Sequence, residues 1–134
     1  MLHMLDTDSI SYLIKGRSAA LEAKVSSVAP SEICISVMTQ AELLYGLKRL
    51  PTENHLHLAV RQCLKIIRVL SWDASAAEWY ADIRNQLTTS GQPIGEMDMM
   101  IAAHALSVGA ELITNNTRHY SRITAPLLLA NWLT

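Results

Sequence analysis

Charged residues, cysteines and long apolar runs are all scarce in this chain of 134 residues. Only 17% of the residues are Asp, Glu, Lys or Arg while 50% are hydrophobic, which excludes intrinsic disorder and leaves apolar surface for a partner. The formal net charge of −1 excludes bulk electrostatic attraction to nucleic acid. RNA binding would therefore need the eleven Lys and Arg residues gathered on one face.

The two cysteines and the N-terminal residues indicate the cellular compartment of the protein. Cys34 and Cys63 lie in apolar segments typical of buried small hydrophobes rather than of a disulfide. The first five residues have no basic start and meet Asp6 too soon for a signal peptide. No apolar stretch approaches the roughly 18 residues of a membrane span. We therefore expect the protein in a reducing cytoplasm and without a membrane partner. Its length and the lack of an obvious linker predict a single domain, residues 1–134.

Strand-like and helix-like segments alternate along the chain. Strands are predicted at 2–6, 33–36, 66–70 and 111–114, with an edge strand at 127–129 and a polar loop at 115–118. Helices are predicted at 9–15, 18–28, 37–50, 52–64, 74–88 and 96–107. Gly16 and Gly109 are expected to cap helix C-termini, and Thr52 to cap a helix N-terminus. This order favours right-handed crossovers and a three-layer α/β/α sandwich with a mostly parallel central sheet.

Three acidic residues lie in surroundings that are unusual for surface carboxylates. Asp6 ends the first strand, Glu42 stands within a helix that is apolar around most of its circumference and should be buried, and Asp98 lies in the first turn of a helix rich in Ala and Met. In an open α/β sheet the ligand crevice lies beyond the carboxyl ends of the strands, where Asp6 would project. Because burying an unpaired carboxylate is costly, the trio favours a site that a divalent cation completes.

Each of these residues also has a purely structural interpretation. Asp6 belongs to a run of good N-cap residues, and Asp98 would favour the positive end of a helix dipole by about 0.3–1 kcal/mol. Glu42 could lie on a solvated helix face or pair with Arg49. Only the combination of the three residues favours the metal site.

A series of short segments spans nearly the whole chain in a characteristic order. They are Met4-Leu5-Asp6-Thr7, Ser36-Val37-Met38-Thr39-Gln40-Ala41-Glu42-Leu43 followed by Gly46, Pro93-Ile94-Gly95 leading to Asp98, Ile101-Ala102-Ala103-His104-Ala105-Leu106, and Leu112-Ile113-Thr114-Asn115-Asn116. No single segment is specific, but in this order and spacing they resemble the PIN-domain ribonucleases and, within them, the VapC-type toxins of type II toxin–antitoxin pairs.

The resemblance implies a PIN-like fold and an endoribonuclease dependent on Mg²⁺ or Mn²⁺. Asp6, Glu42 and Asp98 would be catalytic, with Asp6 and Asp98 as direct metal ligands and Glu42 orienting water or the nucleophile. Oxygen ligands suit hard cations, and a bound cation would activate water for attack on a phosphodiester. The resemblance further implies a VapB-type antitoxin that covers the acidic groove, a homodimer, and a structured RNA substrate such as a tRNA anticodon loop, with initiator tRNA as the example.

The chain departs from the family pattern at two positions. Asn116 stands where many PIN domains carry Asp, which removes one negative charge and favours a one-metal or substrate-completed site. Asp8 replaces the Asn that usually follows Asp-Thr; it would either restore that charge or cap the first helix, and we favour the cap. Thr39 and Thr114 are candidates to hydrogen-bond the carboxylates, although both could serve local backbone groups instead.

Basic residues and histidines near these segments have less specific interpretations. His104 is interpreted as a packed histidine rather than a general base, and His119 would touch substrate or antitoxin if it has a role. Candidate contacts to RNA phosphates are Lys15, Arg17, Lys48, Arg49 and Arg118.

Two other classes also begin with a strand followed by acidic residues. A haloacid-dehalogenase-like phosphatase would use Asp6 as its nucleophile, but the required Lys and later acidic pair are not evident. A receiver-like Mg²⁺-binding module would need an Asp and a Lys at the approximate places of Ser71 and Asn115. Both alternatives are therefore disfavoured.

Overall fold

Five short strands form one sheet in the computed structural model, which describes residues 1–134. They are β1 (His3–Leu5), β2 (Ile33–Ser36), β3 (Arg68–Leu70), β4 (Glu111–Ile113) and β5 (Leu128–Ala130). Every neighbouring pair is parallel, and the strand order is β3-β2-β1-β4-β5. The predicted α/β class is confirmed, and the sheet is wholly rather than mostly parallel.

Helices cover both faces of this sheet. They are α1 (Thr7–Lys15), α2 (Ala19–Ser27), α3 (Val37–Lys48), α4 (Leu56–Ile66), α5 (Ala74–Thr89), α6 (Glu96–Val108) and α7 (Thr117–Tyr120). Successive strand residues point to opposite faces. Met4 and Leu112 accordingly join one core with α5 and α6, whereas Leu5 and Ile113 join a second core with α1 to α4. The three-layer sandwich is confirmed.

The glycine caps are where the sequence predicts them. Gly16 and Gly109 have φ values of 65° and 67°, a left-handed conformation that costs glycine little and ends α1 and α6. Both cysteines are free, as predicted, and burial raises the pKa of the Cys34 thiol to about 12.

Two predicted boundaries around α4 are wrong. Thr52 does not cap this helix; α4 begins at Leu56, whose N–H is bonded to Asn54 Oδ1 at 2.9 Å. Ile66 is the last residue of α4 and is 86% exposed. β3 begins at Arg68, not at Ile66 as predicted. The adjacent β-branched residues Ile66 and Ile67 favoured a strand, but α4 continues through Ile66.

Two further expectations about helices are corrected. The predicted loop 115–118 overlaps α7, a single helical turn. The expectation that α3 is buried around its circumference is wrong, because Leu43 and Leu47 are buried while Tyr45 is 66% exposed. The helix therefore presents an outward face beside the carboxyl edge of the sheet.

The order of strands creates a crevice in the middle of the sheet. The chain runs from β1 to β2 on one side, and the path from β3 to β4 crosses to the other side of β1. β1 and β4 thus flank a switch point, where ligands bind in open α/β sheets. None of the helices combines the length and apolar character needed to span a bilayer.

Candidate active site

Polar residues follow the central strands in one row at the switch point. Leu5 is in register with Ile113, and Met4 with Cys34. The next positions bring Asp6 level with Thr114 and Ser36, all three buried. The Asp6 N–H donates to Ile113 O at 3.0 Å, which fixes the backbone at this point.

Asp6 is both a helix cap and a desolvated acid. Its Oδ1 accepts the Ser9 N–H at 2.9 Å, so the structural interpretation of Asp6 as a helix cap is confirmed. The side chain is only 6% exposed. Burial raises the pKa of the Asp6 carboxyl, the bonds from Thr114 and Ser9 offset part of that rise, and the charge of Asp8 adds to it. Burial is therefore the largest of these effects on the Asp6 carboxyl.

Glu42 is held from α1 by Thr7, a contact that was not predicted from the sequence. The Thr7 hydroxyl donates to Glu42 Oε1, and Thr39 Oγ1 lies 3.2 Å from Thr7 Oγ1. Burial raises the pKa of Glu42, the Thr7 bond lowers it, and nearby carboxylates raise it further. Arg49 does not neutralise Glu42; its guanidinium lies 6.0 Å from the centre of the Tyr45 ring.

Asp98 receives two partners from α7. The Tyr120 hydroxyl donates to Asp98 Oδ1 at 3.1 Å, and His119 Nε2 lies 3.3 Å from Asp98 Oδ2. Neither contact was predicted from the sequence, where His119 was expected to touch substrate or antitoxin if it had a role. The apolar pair Tyr120 and Ile123, three residues apart after Asn116, was the available signal that a helical turn packs there.

The three carboxylates affect one another electrostatically. The charges of Asp98 and Asp6 both raise the pKa of Glu42, and those of all three raise the pKa of Tyr120 after the larger effect of burial. None of the three pairs with Lys or Arg. The result is a local excess of negative charge that a cation would offset.

The donor set fits a hard cation that retains water. Carboxylate and hydroxyl oxygens are the ligands such cations prefer. No three His, Cys, Asp or Glu side chains lie close enough together to enclose one ion. Mg²⁺ usually keeps several waters and takes one or two carboxylates, so an open arrangement of this kind is compatible with it.

A groove of about 410 Å³ lies between α1, α3 and α4 and reaches Glu42, whereas Asp6 and Asp98 do not line it. Thr7, Asp8 and Glu42 line it together with Lys15 and Arg49. The favoured interpretation of Asp8 as the helix cap is wrong, since Asp6 makes that bond and the exposed Asp8 faces the groove.

The remaining predicted residues lie around this centre. Arg17, Lys48 and Arg118 are exposed and do not line the groove. Asn116 is exposed at the start of α7, and its N–H donates to Thr114 Oγ1 at 3.0 Å. His104 is fully buried with Nδ1 2.7 Å from Ser36 Oγ, as expected for a packed histidine.

Comparisons with known proteins agree on one family. Residues 3–125 match the model for the PIN domain. The chain is 35% identical over 120 residues to the tRNA(fMet)-specific endonuclease VapC of Shigella flexneri, covering 90% of each protein. It is 37% identical over 121 residues to the protein of the same name from Salmonella typhimurium, again covering 90% of each. The structure matches VapBC-1 from nontypeable Haemophilus influenzae with a TM-score of 0.89, 34% identity and full coverage of both chains.

Proposed function

The chain belongs to the VapC ribonucleases of the PIN-domain family, and from that premise we propose that it is an endoribonuclease acting as the toxin of a toxin–antitoxin pair. The observation that carries the proposal is the set of mutually repelling carboxylates beside the switch point of the sheet, in a chain whose relatives are named as endonucleases. These matches disfavour the phosphatase and receiver-like alternatives.

We assign Asp6 and Asp98 as the residues that would hold Mg²⁺ or Mn²⁺. Asp6 is fixed by the Ser9 N–H and by Thr114, and Asp98 by Tyr120. When bound, the cation would stabilise charge on the phosphodiester and acidify a water molecule. Glu42, held by the Thr7 hydroxyl, would orient the attacking water or the nucleophile.

The proposed substrate is a structured RNA, with the initiator tRNA and its anticodon loop as the first choice. Two relatives carry tRNA(fMet)-specific endonuclease in their names. Lys15 and Arg49 line the same groove as Glu42, so they are the best-placed candidates to contact phosphates on either side of the scissile bond. Arg17, Lys48 and Arg118 would act from exposed positions farther along the RNA.

We further propose a VapB-type antitoxin as the partner, and a homodimer as the assembly. The groove beside the acids has an apolar lining that includes Ile14, Leu43 and Leu56. A partner segment with apolar side chains could cover this lining and exclude RNA from the acidic residues. The solved relative VapBC-1 supports the existence of such a partner.

The function is tested by mapping RNA ends in cells that express the wild type or Asp6→Ala. We expect cleavage at one or a few sites in a structured RNA with the wild type and none with the variant. In vitro, the purified wild type should cleave initiator tRNA with Mg²⁺ or Mn²⁺ and stop when EDTA removes the ion.

The control for these assays separates catalysis from folding. Asp98→Ala should lose cleavage while keeping its circular-dichroism spectrum and its binding to antitoxin, whereas Asp82→Ala, an exposed acid on α5, should cleave normally. Full activity of Asp98→Ala in nuclease-free preparations would contradict the site assignment. Formation of a stable aspartyl-phosphate would instead favour one of the rejected alternatives.

A further inference from the structure

We propose that Tyr120 is a positioning residue for Asp98, whose carboxylate its hydroxyl orients toward Asp6 and Glu42 for cation binding. The inference rests on the proposed function, since it concerns how one acid of that site is held. Tyr120 itself touches neither substrate nor cation in this scheme. It acts through a single hydrogen bond of 3.1 Å between its hydroxyl and Asp98 Oδ1.

Tyr120 is rigidly held. Its side chain is 1% exposed and belongs to the core formed with α5 and α6. Its backbone C=O accepts the Ile123 N–H at 3.1 Å, and its N–H donates to Asn116 O at 3.3 Å. A hydroxyl on a ring fixed in this way presents its proton from a constant position.

Asp98 needs such a partner more than Asp6 does. The Asp98 side chain is 40% exposed, and its backbone lies in the first turn of α6. Without the phenol, its carboxylate would be free to rotate toward solvent, and binding a cation would then require ordering it first. An ionised carboxylate offers about four acceptor positions, so the bond to Tyr120 leaves positions for a cation.

The second oxygen of Asp98 has a less constrained neighbour. His119 Nε2 lies 3.3 Å from Asp98 Oδ2, but the His119 side chain is 23% exposed and stands at the surface of α7. The two contacts therefore differ in kind: one comes from a buried phenol and the other from a ring that solvent or RNA can displace.

The phenol keeps its proton within the acidic cluster. Burial raises the pKa of Tyr120, and the charges of Asp98, Asp6 and Glu42 raise it further. A phenolate would repel Asp98, whereas the protonated form can only donate to it.

The test is a Mn²⁺ titration of the full chain carrying Tyr120→Phe, measured by isothermal calorimetry. This change removes the hydroxyl and keeps the ring that packs the core. We expect the dissociation constant for Mn²⁺ to rise about tenfold, a typical effect of removing a group that orients a ligand. Cleavage by the variant should fall at low Mn²⁺ and recover close to the wild-type rate when Mn²⁺ saturates.

Tyr80→Phe is a matched control. Tyr80 also donates its hydroxyl to a carboxylate in the first turn of α6, Glu96 Oε1 at 3.1 Å, but at an exposed position away from the acidic cluster. This variant should bind Mn²⁺ like the wild type. Thermal unfolding in EDTA would show that both variants remain folded.

Each result decides the inference. An unchanged dissociation constant in Tyr120→Phe, or an equal rise in Tyr80→Phe, overturns it while leaving the proposed function intact, provided that the wild type cleaves RNA and Asp6→Ala does not. A cleavage defect that persists at saturating Mn²⁺ also overturns it, because the hydroxyl would then act on a step other than cation binding. If the wild type neither binds Mn²⁺ nor cleaves RNA, the proposed function fails and the inference fails with it.

Discussion

Replacing Asp6 by Asn should stabilise the metal-free protein while abolishing its nuclease activity. The Asp6 carboxylate is 6% exposed, and its pKa is raised mainly by burial. A folded-state pKa above the unfolded value means that ionised Asp6 opposes folding at neutral pH. Removing the charge removes that opposition.

The expected gain is the difference between two effects. The raised folded-state pKa of Asp6 fixes the direction of the first effect, a gain in stability when the charge is removed. Asn caps helices about as well as Asp, so the bond from the Ser9 N–H should lose only a few tenths of a kcal/mol. We expect the free energy of unfolding to rise by about 1–2 kcal/mol, the usual size of a single stabilising substitution. For a chain of this length that is a rise in Tm of about 4–7 °C.

In Mn²⁺ the wild type should become more stable than Asp6→Asn. Free ligand at one hundred times its dissociation constant stabilises the folded state by about 2.7 kcal/mol. The wild type should gain this amount in Mn²⁺, whereas Asp6→Asn should gain little. The stability advantage of the variant in EDTA should also vanish below about pH 3.9, where the carboxyl is protonated in both folded and unfolded states.

Differential scanning calorimetry in EDTA and in Mn²⁺ measures both effects. Asp82→Asn, a change to an exposed acid on α5, serves as the control and should move Tm very little. If Asp6→Asn has a lower Tm than the wild type when both are in EDTA, the reasoning is refuted. Asp6 would then act chiefly as a helix cap, and its charge would not oppose folding.

Three further changes test other parts of the structure. Asn116→Asp should tighten Mn²⁺ binding if position 116 faces the cation; an unchanged calorimetric titration removes it from the site. His104 has its pKa lowered by burial, so stability should fall as pH drops below about 6.5, by at most about 1.4 kcal/mol per pH unit, and urea unfolding of His104→Gln should show a flatter pH dependence. Arg49→Ala should weaken RNA binding and reduce the slope of log affinity against log salt concentration by about one. Lys65→Ala, at the exposed end of α4, should change neither quantity. Equal effects of the two changes would exclude Arg49 as a phosphate contact.

The local pattern of the sequence was sufficient to predict most of the elements. Alternating apolar strands and amphipathic helices predict a parallel sheet with two covered faces, and Gly16 and Gly109 mark helix ends in the sequence as they do in the structure. The errors at Thr52 and Ile66 occur at element ends, where several residues satisfy the same propensities. There, packing against α1 and α3 decides where the helix begins and ends.

The candidate acids could also be named from the sequence. Asp6 after a strand, Glu42 in an apolar helix and Asp98 at the start of another are each conspicuous because a carboxylate is costly in such surroundings. That cost can be inferred from neighbouring residues. The metal, the RNA and the roles of these residues remain predictions.

Tertiary structure alone decided which groups hold those acids. Thr7 reaches Glu42 across 35 positions of sequence, and Tyr120 reaches Asp98 across 22. Local periodicity reports whether a side chain faces a core, but it carries no information about which distant element lies opposite. α6 leads into β4 and α7 follows it, and the tertiary packing of α7 against the first turn of α6 supplies the partners of Asp98.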